Sequence, residues 1–358
     1  MSLWGMELLL TLATIRHYST GNRDTGEKGN HMNETECFSK DVLRLDPGKE
    51  TEKICSRVRE IMLTQMKRRG VVVGLSGGVD SSVTAALAVR ALGLERVLGL
   101  EMPERHSAGE TLRLSGMIAD FLGIETIREN ISGILESVGF YERYDEAVRM
   151  VVPGYGNGWK SKIVISSVLD QDGYTTFSVV AQGPDNEIVK KRLPFKPYLE
   201  IVAATNFKQR IRKMLEYYHA DRFNYCVAGT PNRLEYDQGF FVKLGDGASD
   251  IKPIAHLYKS QVYQLAEFLG IAEEIRNRKP TTDTYSLAQG QDEFYFSLPY
   301  DKMDLCLFGK NNSIPANQVA YALDLKPEQV ERVFKDIDIK RSTTRYLHLP
   351  PLLVEDIA

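Results

Sequence analysis

Ser76-Gly77-Gly78-Val79-Asp80-Ser81-Ser82 gathers glycines, hydroxyls and a carboxylate into one short stretch. Such a set suits a polyphosphate. Glycines let main-chain N–H groups approach phosphate oxygens closely, and serine hydroxyls add donors. No Lys-Ser or Lys-Thr closes the loop, so the Walker pattern does not fit. Asp80 stands instead where phosphate should bind. A carboxylate beside a polyphosphate is repulsive unless a cation lies between them, so the loop itself predicts Mg²⁺. Gly229-Thr230-Pro231-Asn232-Arg233-Leu234-Glu235-Tyr236 is a second constellation. There the Thr230 hydroxyl can bond a nucleotide, and Glu235 offers Mg²⁺ another oxygen beside Asp80. Two carboxylates from separate loops, with phosphate oxygens and water, make an octahedral set.

These residues need elements to hold them. Val71-Val72-Val73-Gly74-Leu75 reads as a strand buried on both faces, and Val83 to Arg90 as a helix. The loop between them therefore opens a helix, whose free N–H groups and positive dipole end attract anions. Apolar residues at Ile54, Val58, Ile61, Met62 and Met66 predict a helix over Glu52–Arg69 ahead of the strand. Further strands are expected over Arg96–Pro103, Ile124–Ile127 and Tyr225–Ala228, with helices over Ser107–Leu122 and Leu257–Leu269. Alternation of this kind implies right-handed crossovers and a parallel sheet that binds ligands at the carboxyl ends of its strands. Thr230 and Glu235 follow the last strand and should share that edge with the loop. Between Gly154 and Ala203 the pattern becomes β-rich, with runs at Lys162–Val168 and Thr175–Val180 around a hairpin turn at Asp170–Gly173. A third strand is expected within Asn186–Leu193, and helical character returns at Asn206–Met214. This antiparallel insertion reads either as a surface hairpin or dimer contact, or as a substrate lid. The expected organisation is a disordered leader over 1–36, a domain split between 37–154 and 204–358, and the β-rich insertion at 155–203.

Composition narrows the class. The chain has 358 residues, 43% apolar and 26% charged, as in an ordinary soluble globular protein. A net charge of −3 argues against a general nucleic-acid binder. Cys37, Cys55, Cys226 and Cys306 are scattered without CxxC spacing, which predicts reduced thiols in the cytoplasm and no paired-cysteine sulfur relay. The His residues do not cluster, so zinc is not expected. Leu8–Ala13 is too short to span a bilayer, and Ser19–Glu36 is polar and rich in Gly and Asn. Met32 is an alternative start.

The Ser76–Ser82 loop resembles the pyrophosphate loop of the ATP pyrophosphatases, which cleave ATP to AMP and pyrophosphate. Other blocks narrow the resemblance: Asn206–Arg212, Gly239–Pro253, Leu257–Val262 and Lys279-Pro280-Thr281-Thr282-Asp283. Together with the loop they resemble NAD synthetase of the ammonia-dependent type. The likeness covers roughly residues 50 to 150 and 200 to 345. It implies a parallel sheet with helices on both faces (adenine nucleotide alpha hydrolase-like), a tight homodimer, and ATP-dependent conversion of deamido-NAD to NAD. It also implies that Gly74, Leu75, Ser76, Gly77, Gly78, Val79, Asp80 and Ser81 hold ATP, with Thr230, Lys259 and Thr281 contacting it. Asp80 and Glu235 would bind Mg²⁺, and Asp80 and Lys259 would carry the catalysis. Arg210, Lys243, Asp250 and Lys340 match positions that contact deamido-NAD. One departure stands out: the family usually has a His-Lys pair near its C-terminus, whereas Ile339-Lys340-Arg341 keeps the Lys and loses the His. The residues ahead of the loop are too few for a glutaminase domain, so free ammonia, or ammonia from a separate glutaminase, is the expected nitrogen source. Two other readings stay open: an amide ligase of the same fold acting on a different adenylated acid, and a silent nucleotide-binding relative.

Overall fold

The structure, a computed structural model, describes residues 38–107, 109–166, 176–280, 284–287, 289–290, 295–296 and 298–355. The expected leader, the expected turn at 170–173 and Thr281 lie outside the described residues. Four strands form a parallel sheet in the order β3-β2-β1-β7: β1 (Val71–Gly74), β2 (Val97–Glu101), β3 (Glu125–Arg128) and β7 (Cys226–Ala228). Val71, Val72 and Val73 have no exposed surface. Val71 and Val73 join one apolar cluster and Val72 another, because successive strand side chains point to opposite faces. Both faces of the sheet are therefore covered. Each valine buried in this way is worth about 1.5–3 kcal/mol.

Helices α1 (Pro47–Glu60), α2 (Val79–Leu92) and α3 (Gly109–Leu122) cover the first face with the later helix Lys259–Phe268. Helices α4 (Ser132–Ser137), α5 (Phe140–Arg149) and α6 (Phe195–Phe223) cover the second. Then come α7 (Arg233–Gln238), α8 (Lys259–Phe268) and α9 (Glu273–Asn277). The C-terminal α10 (Tyr300–Asn311), α11 (Ala316–Leu323) and α12 (Pro327–Thr344) build a third apolar cluster with Phe38, Leu43, Leu234 and Tyr258. Helix α1 runs on into a π-helical segment, Ile61–Met66, which ends at a left-handed Lys67. The sequence pattern finds helix only around 206–214, yet α6 begins at Phe195, inside the stretch expected to be β-rich. Its buried residues include Lys208, Lys213 and Glu216, and it packs on the sheet and on α5 at once. No single apolar stripe survives such packing, so the periodicity that marks a surface helix is lost.

The insertion is an antiparallel sheet of three strands, β4 (Lys160–Ile165), β5 (Phe177–Gln182) and β6 (Ile188–Arg192), in sequential order. Ile163 faces Val179 across the ladder, and both are fully buried in the second core cluster with Ala181. The insertion is thus built onto the domain's own core. Among the described residues no helix is long and apolar enough to cross a membrane.

Candidate active site

Strand β1 ends at Gly74 and α2 opens at Val79, with Gly78 as its N-cap and no side chain capping it. The first-turn N–H groups have no partner within the helix. Gly77 has φ of +66°, and a Cβ there would lie 2.8 Å from both Leu114 Cβ and the Thr111 carbonyl. Only glycine makes this turn without displacing α3. The Ser76 and Ser81 hydroxyls lie 3.1 Å apart, and Ser81 Oγ donates to the Gly78 carbonyl at 3.0 Å. The loop faces a cavity of about 320 Å³.

The two acids meet in that cavity. Asn232 Nδ2 donates to Asp80 Oδ1 at 3.1 Å. The Asn232 backbone N–H donates to Glu235 Oε2 at 3.2 Å, while Asn232 Oδ1 accepts from the Glu235 N–H at 3.3 Å. This reciprocal capping box starts α7 and fixes the Glu235 side chain. One asparagine therefore holds both carboxylates. Lys259 Nζ donates to Asp80 Oδ2, and Lys259 is only 2% exposed. Burial disfavours its charge, but Asp80 and Glu235 overcome that and hold its pKa above the ordinary lysine value. A lysine at the first position of a helix opposes the dipole. Asp304 offsets this by accepting from Lys259 N at 3.1 Å and Ser260 N at 2.7 Å. Burial pushes the Asp304 carboxyl up to about 6 in spite of those bonds.

Other walls carry charge that sequence reading missed. Arg278 donates to the Ser76 carbonyl at 3.1 Å and to Thr111 Oγ1 at 2.8 Å, tying the segment after α9 to the loop. Lys213 pairs with Glu216 at 2.5 Å on the buried side of α6. Burial raises the pKa values of Glu216 and Asp246, with Lys213 pulling both back in part. Raised values weaken the negative field these two carboxyls would otherwise set against a triphosphate.

The cavity lining includes Gly74, Leu75, Ser76, Gly78, Val79 and Ser81 from the expected ATP set. Asp80, Thr230, Glu235 and Lys259 line it too. Gly77 forms the turn behind them, and Pro280 and Thr284, on either side of Thr281, line the cavity. The positions matched to deamido-NAD lie outside this lining. Exposed Arg210 donates to the Lys243 carbonyl at 3.3 Å and borders a separate shallow hollow with Tyr217 and Leu244. Lys243 Nζ donates to the Tyr346 carbonyl at 2.9 Å. Asp250 accepts from Val227 N at 2.7 Å and from Tyr217 Oη at 3.3 Å. Lys340 is held by Asp336 at 2.6 Å and by the Tyr295 carbonyl at 2.7 Å among the C-terminal segments. Among the described residues no group of three or more His, Cys, Asp and Glu is arranged to hold a metal ion. A pair of carboxylates alone suits Mg²⁺, which takes its remaining ligands from phosphate and water.

The model of the NAD synthase family matches residues 50–154 and 177–344. An NH(3)-dependent NAD(+) synthetase of Rhizobium meliloti is 58% identical over 320 residues, covering 89% of this chain and 96% of that protein. The structure of NMN synthetase from Francisella tularensis superposes with a TM-score of 0.59 at 20% identity, covering 87% of this chain and 99% of that one. That of NH3-dependent NAD synthetase from Campylobacter jejuni gives 0.56 at 24% identity, covering 87% and 100%. The two structures speak for the fold. Family-model coverage of most of the chain, with a relative matched along nearly its whole length, places the chain in the NAD synthase family.

Proposed function

We propose that this cavity catalyses ATP-dependent amidation of deamido-NAD to NAD by ammonia, through an acyl-adenylate, releasing AMP and pyrophosphate. The observation that carries the reading is the meeting of Asp80, Glu235 and Lys259 around Asn232 beside the glycine-rich loop. Ammonia cannot displace oxide from a carboxylate, so the acid must first be activated. A carboxylate oxygen bonds to the α-phosphorus of ATP as the bond to the β-phosphate breaks. Ammonia then bonds to the acyl carbon, and AMP leaves with the former carboxylate oxygen.

In this scheme the first-turn amides of α2, with Ser76 and Ser81, hold the departing pyrophosphate. Thr230 and Thr281 orient the nucleotide. The Lys259 ammonium sits where it can follow charge from ATP to pyrophosphate. Asp80 and Glu235 would hold Mg²⁺, which when bound neutralises charge on the leaving group. Arg210, Lys243 and Asp250 take the dinucleotide; Lys340 joins them on the resemblance alone. Met214 and Tyr218 stand one turn apart on α6 at 55% and 57% exposure, and Leu244 nearby is 70% exposed. That apolar surface beside Arg210 supports a homodimer whose second copy completes the dinucleotide site. Cys55, Cys226 and Cys306 are buried free thiols, in keeping with a cytoplasmic setting. Ammonia comes free or from a separate glutaminase. The test is pyrophosphate release from ATP and ammonia: it should require deamido-NAD. Release that depends on another carboxylic acid, a reading prompted by Ile339, would overturn the substrate, and no release with any acid would overturn the activity.

A further inference from the structure

Strand β4 lies between the two stretches that the family model matches, so its residues are additional to the family pattern. It is not an idle decoration. The segment that holds Ser286, Leu287 and Gln289 bonds to it. Leu287 N–H donates to the Ser161 carbonyl at 3.2 Å, and Ser161 N–H donates to Ser286 Oγ at 2.9 Å. Farther along, Gln289 Nε2 donates to the Ile163 carbonyl. Ser161 is itself fully buried, and its hydroxyl bonds Tyr144 Oη and Tyr155 Oη, each at 2.9 Å. The same segment is gripped from α6. Lys208 Nζ donates to the Thr284 carbonyl at 2.9 Å and pairs with Glu104 at 2.7 Å.

Just upstream, Arg278, Lys279 and Pro280 line the nucleotide cavity, as do Thr284 and Tyr285. Arg278 anchors the upstream end on Ser76 and Thr111. Arg278 therefore pins the 278–280 part of the cavity wall, and β4 pins the part formed by Thr284 and Tyr285. We infer that the insertion sheet is a positioning element for ATP: β4, through Ser161 and Ile163, holds Ser286, Leu287 and Gln289 so that the adjoining Thr284 and Tyr285 stand at the distance ATP requires. This deepens the proposed reaction and rests on it. It gives the insertion a role other than the hairpin, dimer contact or lid expected from the sequence: a contribution to the nucleotide site made through the backbone of a neighbouring segment.

The full-length S286A/Q289A double variant cuts two of the side-chain links and touches no residue assigned to the chemistry. Its KM for ATP should rise about 3- to 10-fold, while the KM for deamido-NAD and kcat at saturating ATP stay within about twofold, because only part of the lost hydrogen bonding is felt at the nucleotide. S286T, which keeps the hydroxyl, should retain the wild-type KM for ATP. By hydrogen exchange on the ligand-free protein, the Leu287 amide should exchange faster in the double variant, while amides of β1 stay protected. Unchanged KM for ATP with accelerated Leu287 exchange would overturn the inference. So would a rise in both KM values together with a fall in Tm, since that marks general loosening. A wild-type protein that never consumes deamido-NAD would instead defeat the underlying reaction, and the two failures are distinguishable.

Discussion

Asp80 gives one carboxylate oxygen to Asn232 and the other to Lys259, so its geometry is set before any nucleotide arrives. Preorganisation of this kind lets charge develop without a search for partners. Asp80→Asn keeps the shape and removes the charge. We expect kcat for pyrophosphate release to fall by about 10²–10³. Far-UV circular dichroism should remain native, while unfolding free energy drops by about 3 kcal/mol because buried Lys259 loses its nearest counter-charge. Wild-type turnover in this variant would remove Asp80 from the chemistry. Asp80 was legible in the sequence because a carboxylate in a phosphate loop makes no sense without a cation. Asn232 and Asp304 were not, because each acts by capping a helix and carries no reactivity of its own. The Asn-x-x-Glu spacing at 232–235 was the available signal.

Among the elements, the turn into α2 admits a sharp test. Gly77→Ala forces a Cβ into Leu114 and the Thr111 carbonyl at a positive φ. The expected cost is about 1–3 kcal/mol by denaturant unfolding, with a raised KM for ATP as the loop shifts against α3. An unchanged midpoint and KM would show that the loop has slack. Helix α6 offers a pH test through Glu104 and Lys208. Burial alone would raise the Glu104 pKa, but the Lys208 ammonium reverses this and holds it below its ordinary 4.5. A depressed carboxyl stabilises the fold above its unfolded value and ceases to do so as pH falls through the folded one. Urea midpoints should therefore decline below about pH 4.5, and Glu104→Gln should flatten part of that decline relative to wild type. An identical slope in both proteins would mean that Glu104 is not held down by Lys208. The strands were readable as unbroken apolar runs. The full length of α6 was not, since a helix buried on several sides and carrying charges inward shows no stripe.

At the scale of the molecule, Asp80, Glu235 and Lys259 line the cavity, whereas the positions proposed for the dinucleotide lie outside it, Arg210 on an exposed part of α6 and Lys340 among the C-terminal segments. A second copy would bring an outer surface to bear on the substrate. Met214→Glu combined with Leu244→Glu should shift sedimentation from dimer to monomer and raise the KM for deamido-NAD at least about tenfold, the effect of losing roughly 1.4 kcal/mol of binding. A variant that stays dimeric with an unchanged KM would move the interface elsewhere. The parallel sheet, its ligand edge and the acid pair were all visible in strand–loop–helix order. The packing of the insertion against Ser286, Leu287 and Gln289 was not, because pairing between segments more than a hundred residues apart leaves no local pattern.

The central step is activation of the acid by transfer of AMP. Deamido-NAD labelled with ¹⁸O in its carboxylate, turned over with ATP and ammonia, reads this out by mass spectrometry of the products. The label should appear in the phosphate of AMP, one oxygen per amide formed. Label in pyrophosphate or in water, with unlabelled AMP, would contradict it.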